Sequence, residues 1–104
     1  MELQDYLKIM VKYEASDLYL TTAAPPTIKV HGKLKAIEDT VLPPNRVKVI
    51  AYQLMDDEAR EAFDNIPEMN LALSERGIGR FRVNIFKQRN QVGMVVRHIK
   101  TDIP

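Results

Sequence analysis

Six basic side chains and no acidic ones lie between Gly79 and Lys100: Arg80, Arg82, Lys87, Arg89, Arg97 and Lys100. The stretch before it has the opposite sign, with seven acidic and two basic residues over 53–78. Arginine presents a planar fork of donors that matches phosphate and carboxylate oxygens, so a cluster of arginines on one surface would attract such anions. In a strand from Gly79 to Lys87, alternation sends Arg80, Arg82 and Asn84 to one side and Phe81, Val83 and Ile85 to the other. If the next strand pairs with it as a hairpin, several guanidinium groups converge on one sheet face. A solvated face, or pairing with the acidic segment, accounts for the same residues.

Other chemistries find less support. Gly77-Ile78-Gly79 leads into a strand, whereas the phosphate-cradling loop GxxxxGK[ST] and the dinucleotide fingerprint GxGxxG both open a helix. Neither motif occurs in the chain, and a plain turn is the reading here. His31 and His98 have no Cys, His, Asp or Glu at zinc-ligand spacing. His31 reads as a turn residue and His98 as a strand residue. Ser16-Asp17 has no base beside it and reads as turn chemistry at a helix-to-strand junction. Met10, Met55, Met69 and Met94 fall at apolar-patterned positions and read as core filling. Phe81 alternates away from Arg80 and Arg82, so the basic strand lacks the adjacent aromatics of an RNA-stacking sheet.

The elements that would position these residues follow from periodicity. Leu3, Leu7, Met10 and Val11 recur at helical spacing and predict a helix over 2–14. Short β-type runs follow at 18–22, 27–30 and 33–37, the last two joined by His31-Gly32 as a two-residue hairpin loop. Pro43-Pro44 opens a helix near 45–55 with an apolar stripe of Val47, Ile50, Ala51 and Leu54. A second short helix begins at Asp56-Asp57, turns Ala59, Ala62 and Phe63 inward, and stops at Pro67. Three strands complete the chain, at 69–73, 79–87 and 92–99, with turns at 74–77 and 89–91. The order predicts an α+β domain, one antiparallel sheet covered on one face by helices.

With 104 residues, 45% of them hydrophobic, the chain suits a single core. A net charge of +1 gives no global sign of a nucleic-acid partner. There is no cysteine, which excludes disulfides and thiolate metal sites and agrees with a reducing compartment. The acidic, interrupted N-terminus does not read as a signal peptide, and no run reaches the roughly 18 apolar residues of a membrane span.

The wording of the sequence goes beyond its physics. ASDLYLTTAAPPTIKVHGKL at 15–34 resembles the opening strand, double proline and hairpin of the type IV pilus retraction ATPases, the PilT/PilU family. LMDDEAREAF at 54–63 is similar to that family's second helix pair, and GIGRFRVNIFKQRNQVGMVVRHI at 77–99 to its most recognisable N-domain signature, in a form nearer the PilU branch. The resemblance implies a PAS-like N-terminal domain over 1–100, with 101–104 beginning a linker to an absent RecA-like ATPase domain. It implies a non-catalytic segment of a cytoplasmic homo-hexamer, alone or together with a related retraction ATPase, that uses ATP and Mg²⁺ and works at the inner-membrane pilus machinery. In that family the N-terminal domain packs on the neighbouring subunit's ATPase domain and turns arginines toward the ATP phosphates. The matching positions are Arg80, Arg82 and Arg97. The competing expectations are a PAS-like small-ligand sensor, marked by an occupied pocket, and a nucleic-acid-binding module, marked by salt-dependent binding.

Overall fold

The computed structural model describes residues 1–100. The linker proposed for 101–104 lies outside them. Helix α1 (Leu3–Lys12) starts where the Glu2 backbone N–H donates to Asp5 Oδ2 at 2.9 Å. Its buried stripe is Leu3, Tyr6, Leu7 and Met10, an i, i+3, i+4, i+7 pattern. Tyr6 takes the place expected for Val11, which lies toward solvent.

Strands β1 (Asp17–Thr21), β2 (Thr27–Val30) and β3 (Lys33–Ala36) form a meander. His31 and Gly32 join β2 to β3 with φ of 49° and 79°, the left-handed pair of a primed two-residue turn. Helix α2 (Arg46–Gln53) follows Pro43-Pro44. The prolines stand outside its first turn, because Asn45, left-handed at φ 69°, caps it instead. Helix α3 (Asp57–Asn65) is capped by Asp56, whose carboxylate accepts the Ala59 N–H at 2.8 Å. Phe63 is its one buried residue, and Ala62, expected inside, is exposed.

Strands β4 (Glu68–Glu75), β5 (Gly79–Gln88) and β6 (Gln91–Ile99) complete one six-stranded sheet of order β3-β2-β1-β6-β5-β4, antiparallel throughout. The architecture is the α+β one that the element order predicts. Gly77 lies in the β4–β5 turn, and Arg89-Asn90 make a second left-handed two-residue turn between β5 and β6.

One core joins the three helices to one face of the sheet. Leu18, Leu20, Phe81, Val83, Ile85, Met94 and Val96 face Leu7, Met10, Val47, Ile50 and Phe63 in it. Met10, Met55 and Met94 are buried as expected, while Met69 on edge strand β4 is half-buried. No helix among the described residues is long and apolar enough to cross a membrane.

Candidate anion-binding face

The alternation that buries Phe81, Val83 and Ile85 sends Arg80 and Arg82 to the face of the sheet opposite the helices. Strand register then brings in Arg97, which lies directly opposite Arg82 on β6. Across its other side Arg97 faces Asp17 on β1, and Asp17 faces Lys29 on β2. A single row therefore runs Lys29, Asp17, Arg97, Arg82 across four strands. Arg80 stands two residues from Arg82 on the same face, opposite Ile99.

Two arginines directly opposed would repel, and Asp17 offsets this from the other flank. The Arg97 Nε–H donates to Asp17 Oδ1 at 3.3 Å. The Ser16 hydroxyl donates to the second carboxylate oxygen, Oδ2, at 2.8 Å. Asp17 is only 6% exposed, whereas the Arg97 side chain is 72% exposed. The carboxylate is thus built into the sheet, and the guanidinium, held at Nε, projects from it with no hydrogen bond from its terminal nitrogens among the described residues. Arg80 and Arg82 are exposed as well. Three guanidinium groups, offset by Asp17 and at the sheet edge by Glu68, which accepts from the Asn84 amide at 2.8 Å, leave a net positive surface suited to phosphate oxygens.

The remaining basic residues of this stretch go elsewhere, so its six positive charges do not all converge. Lys87 turns to the helix side, donates to the Phe63 carbonyl at 3.0 Å and sits 4.6 Å from the centre of the Phe63 ring. Arg89 occupies the β5–β6 turn. The acidic helix takes other partners than the arginine face: Asp57 lies 3.7 Å from Arg60, and Asp64 lies 4.0 Å from Lys87. His98 belongs to the core side, stacked on Phe81 at 5.0 Å between ring centres, and its buried Nδ1 has no hydrogen-bond partner among the described residues. At the open end of the hairpin, Arg80, Lys100 and His98 line a cleft of about 440 Å³ beside the end of α1.

Two features of this face escape a reading of the basic strands alone. Asp17, taken from the sequence as turn chemistry, opens β1 and anchors Arg97. The face also carries aromatics, contrary to the expectation drawn from Phe81 alone that the basic strand lacks them: Tyr19, opposite Val95, and Phe86, opposite Gly93, share the arginine side and are half-buried. Their parity was the available signal, since Asp17 and Tyr19 alternate with Leu18 and Leu20, and Phe86 lies four residues after Arg82.

No family model matches the chain. Individual relatives do. Over 104 residues the chain is 43% identical to the type IV pilus ATPase PilU of Pseudomonas aeruginosa, covering all of this chain and 27% of that protein. It is 33% identical over 103 residues to the type IV pilus retraction ATPase PilT of the same organism, covering 99% of this chain and 30% of that one. The fold agrees with the crystal structure of the pilus retraction motor PilT with bound ADP, at a TM-score of 0.90 and 30% identity over 100% of this chain and 31% of the other. The ATPase DotB of Legionella pneumophila shares the fold at a TM-score of 0.78 and 20% identity, over 97% of this chain and 29% of that one. The chain spans under a third of the length of these relatives. In sequence and in fold alike, it belongs to the PilT/PilU family of type IV pilus ATPases, as an N-terminal segment.

Proposed function

We propose that this chain is the assembly and regulatory domain of a hexameric pilus-retraction ATPase, and that its basic sheet face meets ATP bound by the neighbouring subunit. Arg80, Arg82 and Arg97 neutralise phosphate charge there and make domain closure sensitive to the nucleotide state. The observation that carries the reading is the register of β5 and β6. It sets Arg82 directly beside Arg97 on the sheet face opposite the three described helices, within a segment related to PilU and PilT. Such a surface suits an anion brought by another domain.

Of the nucleotide and Mg²⁺ that the complete ATPase would use, this chain fits only the phosphates. Among the described residues no three His, Asp or Glu side chains gather to hold a metal ion. The sequence contains no GxxxxGK[ST] loop, so turnover belongs to the rest of the parent protein. By this reading the chain does not hydrolyse ATP alone, and it acts in the cytoplasm at the inner-membrane pilus machinery rather than on nucleic acid.

The test is ATP turnover by the full-length hexamer carrying Arg80→Ala or Arg82→Ala, at matched assembly. Losing a donor to developing phosphate charge costs about 2.7–4 kcal/mol in the transition state, a drop of about 10²–10³ in turnover. Mutant rings that assemble, bind nucleotide and turn over as the wild type does would reduce the arginine face to solvated surface or a subunit contact.

A further inference from the structure

We infer that Asp17, held by Ser16, is the positioning residue for Arg97: it grips the guanidinium at Nε and leaves the two terminal nitrogens free for phosphate. The inference rests on the phosphate-facing reading of the sheet and deepens it. It starts from an anomaly of burial. Asp17 is 6% exposed, the one buried charged residue among the described residues. A carboxylate taken from water needs a partner for each oxygen. Both oxygens have one: Oδ1 accepts from Arg97 Nε at 3.3 Å and Oδ2 from Ser16 Oγ at 2.8 Å.

Those two bonds fix the plane of the carboxylate, and Ser16 is itself tied down on both sides. Its backbone N–H donates to the Lys29 carbonyl at 2.9 Å, and its carbonyl accepts the His98 N–H at 3.2 Å. The anchor thus reaches β2 on one side and β6 on the other. A free arginine on a sheet surface samples many rotamers and loses that freedom when it binds. Arg97 engaged through Nε is already restrained, yet its 72% exposure leaves the terminal fork open. The carboxylate also lies between Lys29 and the Arg97–Arg82 pair in the register, which lets three cations occupy one row. A bidentate grip on both terminal nitrogens would have neutralised the fork and closed it to phosphate; a single contact at Nε does not.

The experiment measures binding of fluorescent ADP to the assembled full-length ATPase carrying Asp17→Ala, Arg97→Ala, Arg80→Ala and the two double substitutions with Asp17→Ala. Asp17→Ala should weaken binding about 3- to 10-fold, the scale of one ordinary hydrogen bond, because the positioning acts through a solvent-exposed guanidinium. Asp17→Ala with Arg97→Ala should bind no worse than Arg97→Ala alone, because the two act as a unit. Asp17→Ala with Arg80→Ala should show the product of the single losses. Asp17→Asn keeps an acceptor for Nε and should restore most of the affinity. Should Asp17→Ala fail to fold, Asp17→Asn and Ser16→Ala, each paired with Arg97→Ala, take its place in the cycle. Multiplicative losses for Asp17 and Arg97, or an impaired Arg97→Ala beside an unaffected Asp17→Ala, would overturn the positioning role alone. An unimpaired Arg97→Ala would instead remove Arg97 from the phosphate-facing reading, and this inference with it.

Discussion

Substituting Gly93 by alanine should destabilise the domain, and the sign of the effect should reverse once Phe86 is removed. The two residues are register partners on the arginine side of the sheet. A Cβ on Gly93 would lie 2.5 Å from Phe86 Cζ and 2.6 Å from Cε2. Carbon atoms rest at about 3.5–4.0 Å, so the ring has to retreat by about 1 Å or swing away from the sheet. Overpacking of this kind costs about 1–3 kcal/mol, and a ring forced into solvent loses burial worth about 1 kcal/mol for a half-buried phenylalanine. Against this, replacing glycine inside a strand by alanine gains about 0.5–1 kcal/mol of backbone entropy. The net expectation for Gly93→Ala is a loss of about 1 kcal/mol. In a Phe86→Ala background nothing stands over the position, and the same substitution should stabilise by about 0.5–1 kcal/mol. Urea denaturation of the four proteins gives a coupling energy of about 1.5–2 kcal/mol if the ring rests on the glycine. Additive effects, or a neutral Gly93→Ala in both backgrounds, would show that Phe86 does not cover Gly93.

Two further predictions concern the core. Phe81 is fully buried against His98, so Phe81→Ala should cost about 3–5 kcal/mol in chemical denaturation. Arg82, next along the strand and exposed, should cost under about 1 kcal/mol when replaced by alanine, and similar losses for the two would contradict the strand register. Burial and the nearby Glu38 raise the Tyr6 phenol above its ordinary value of 10.0, against the pull of Arg46, and Asp5 adds to the rise. The folded state therefore holds this proton more tightly than the unfolded chain. Its stabilising share is whole below about pH 10 and is lost as the pH climbs through the higher folded value. Tyr6→Phe should flatten the fall of urea stability above about pH 10, and a fall as steep as in the wild type would assign it to other groups.

Much of the fold was legible because its signals are local. The alternation of Arg80, Phe81, Arg82 and Val83 states which face is which, and His31-Gly32 and Asp56 announce a turn and a cap within a few residues of sequence. The errors came where a tertiary neighbour decides. Val11 and Tyr6 compete for the same helical stripe, and only the packing of α1 on the sheet buries Tyr6 and leaves Val11 out. Ala62 fits an amphipathic template, yet α3 sits at the margin of the core, so that Phe63 alone fills it. Strand order set the limit for the site. Nothing in the sequence states that β1 pairs with β6, and without that pairing Asp17 and Arg97, eighty positions apart, cannot be recognised as partners.

The same pairing ties the proposed chemistry to the stability of the fold. In β5 and β6 each core residue alternates with a residue of the arginine face, so Val83 and Val96 are packed by the same register that sets Arg82 beside Arg97. A slip of one residue between them would turn one of the two strands over, carrying its arginines toward the helices and exposing its aliphatic side chains. The two-residue turn at Arg89-Asn90 fixes the count between the strands, with both residues left-handed at φ 53° and 63°. A shifted register with buried, unpaired guanidinium groups would be strongly disfavoured, since the full cost of desolvating them would fall on the fold. The core thus positions the charged face with a precision that surface side chains alone could not provide. Asp17, placed by β1 in the next position of the same row, extends that control from where Arg97 stands to the way its guanidinium points.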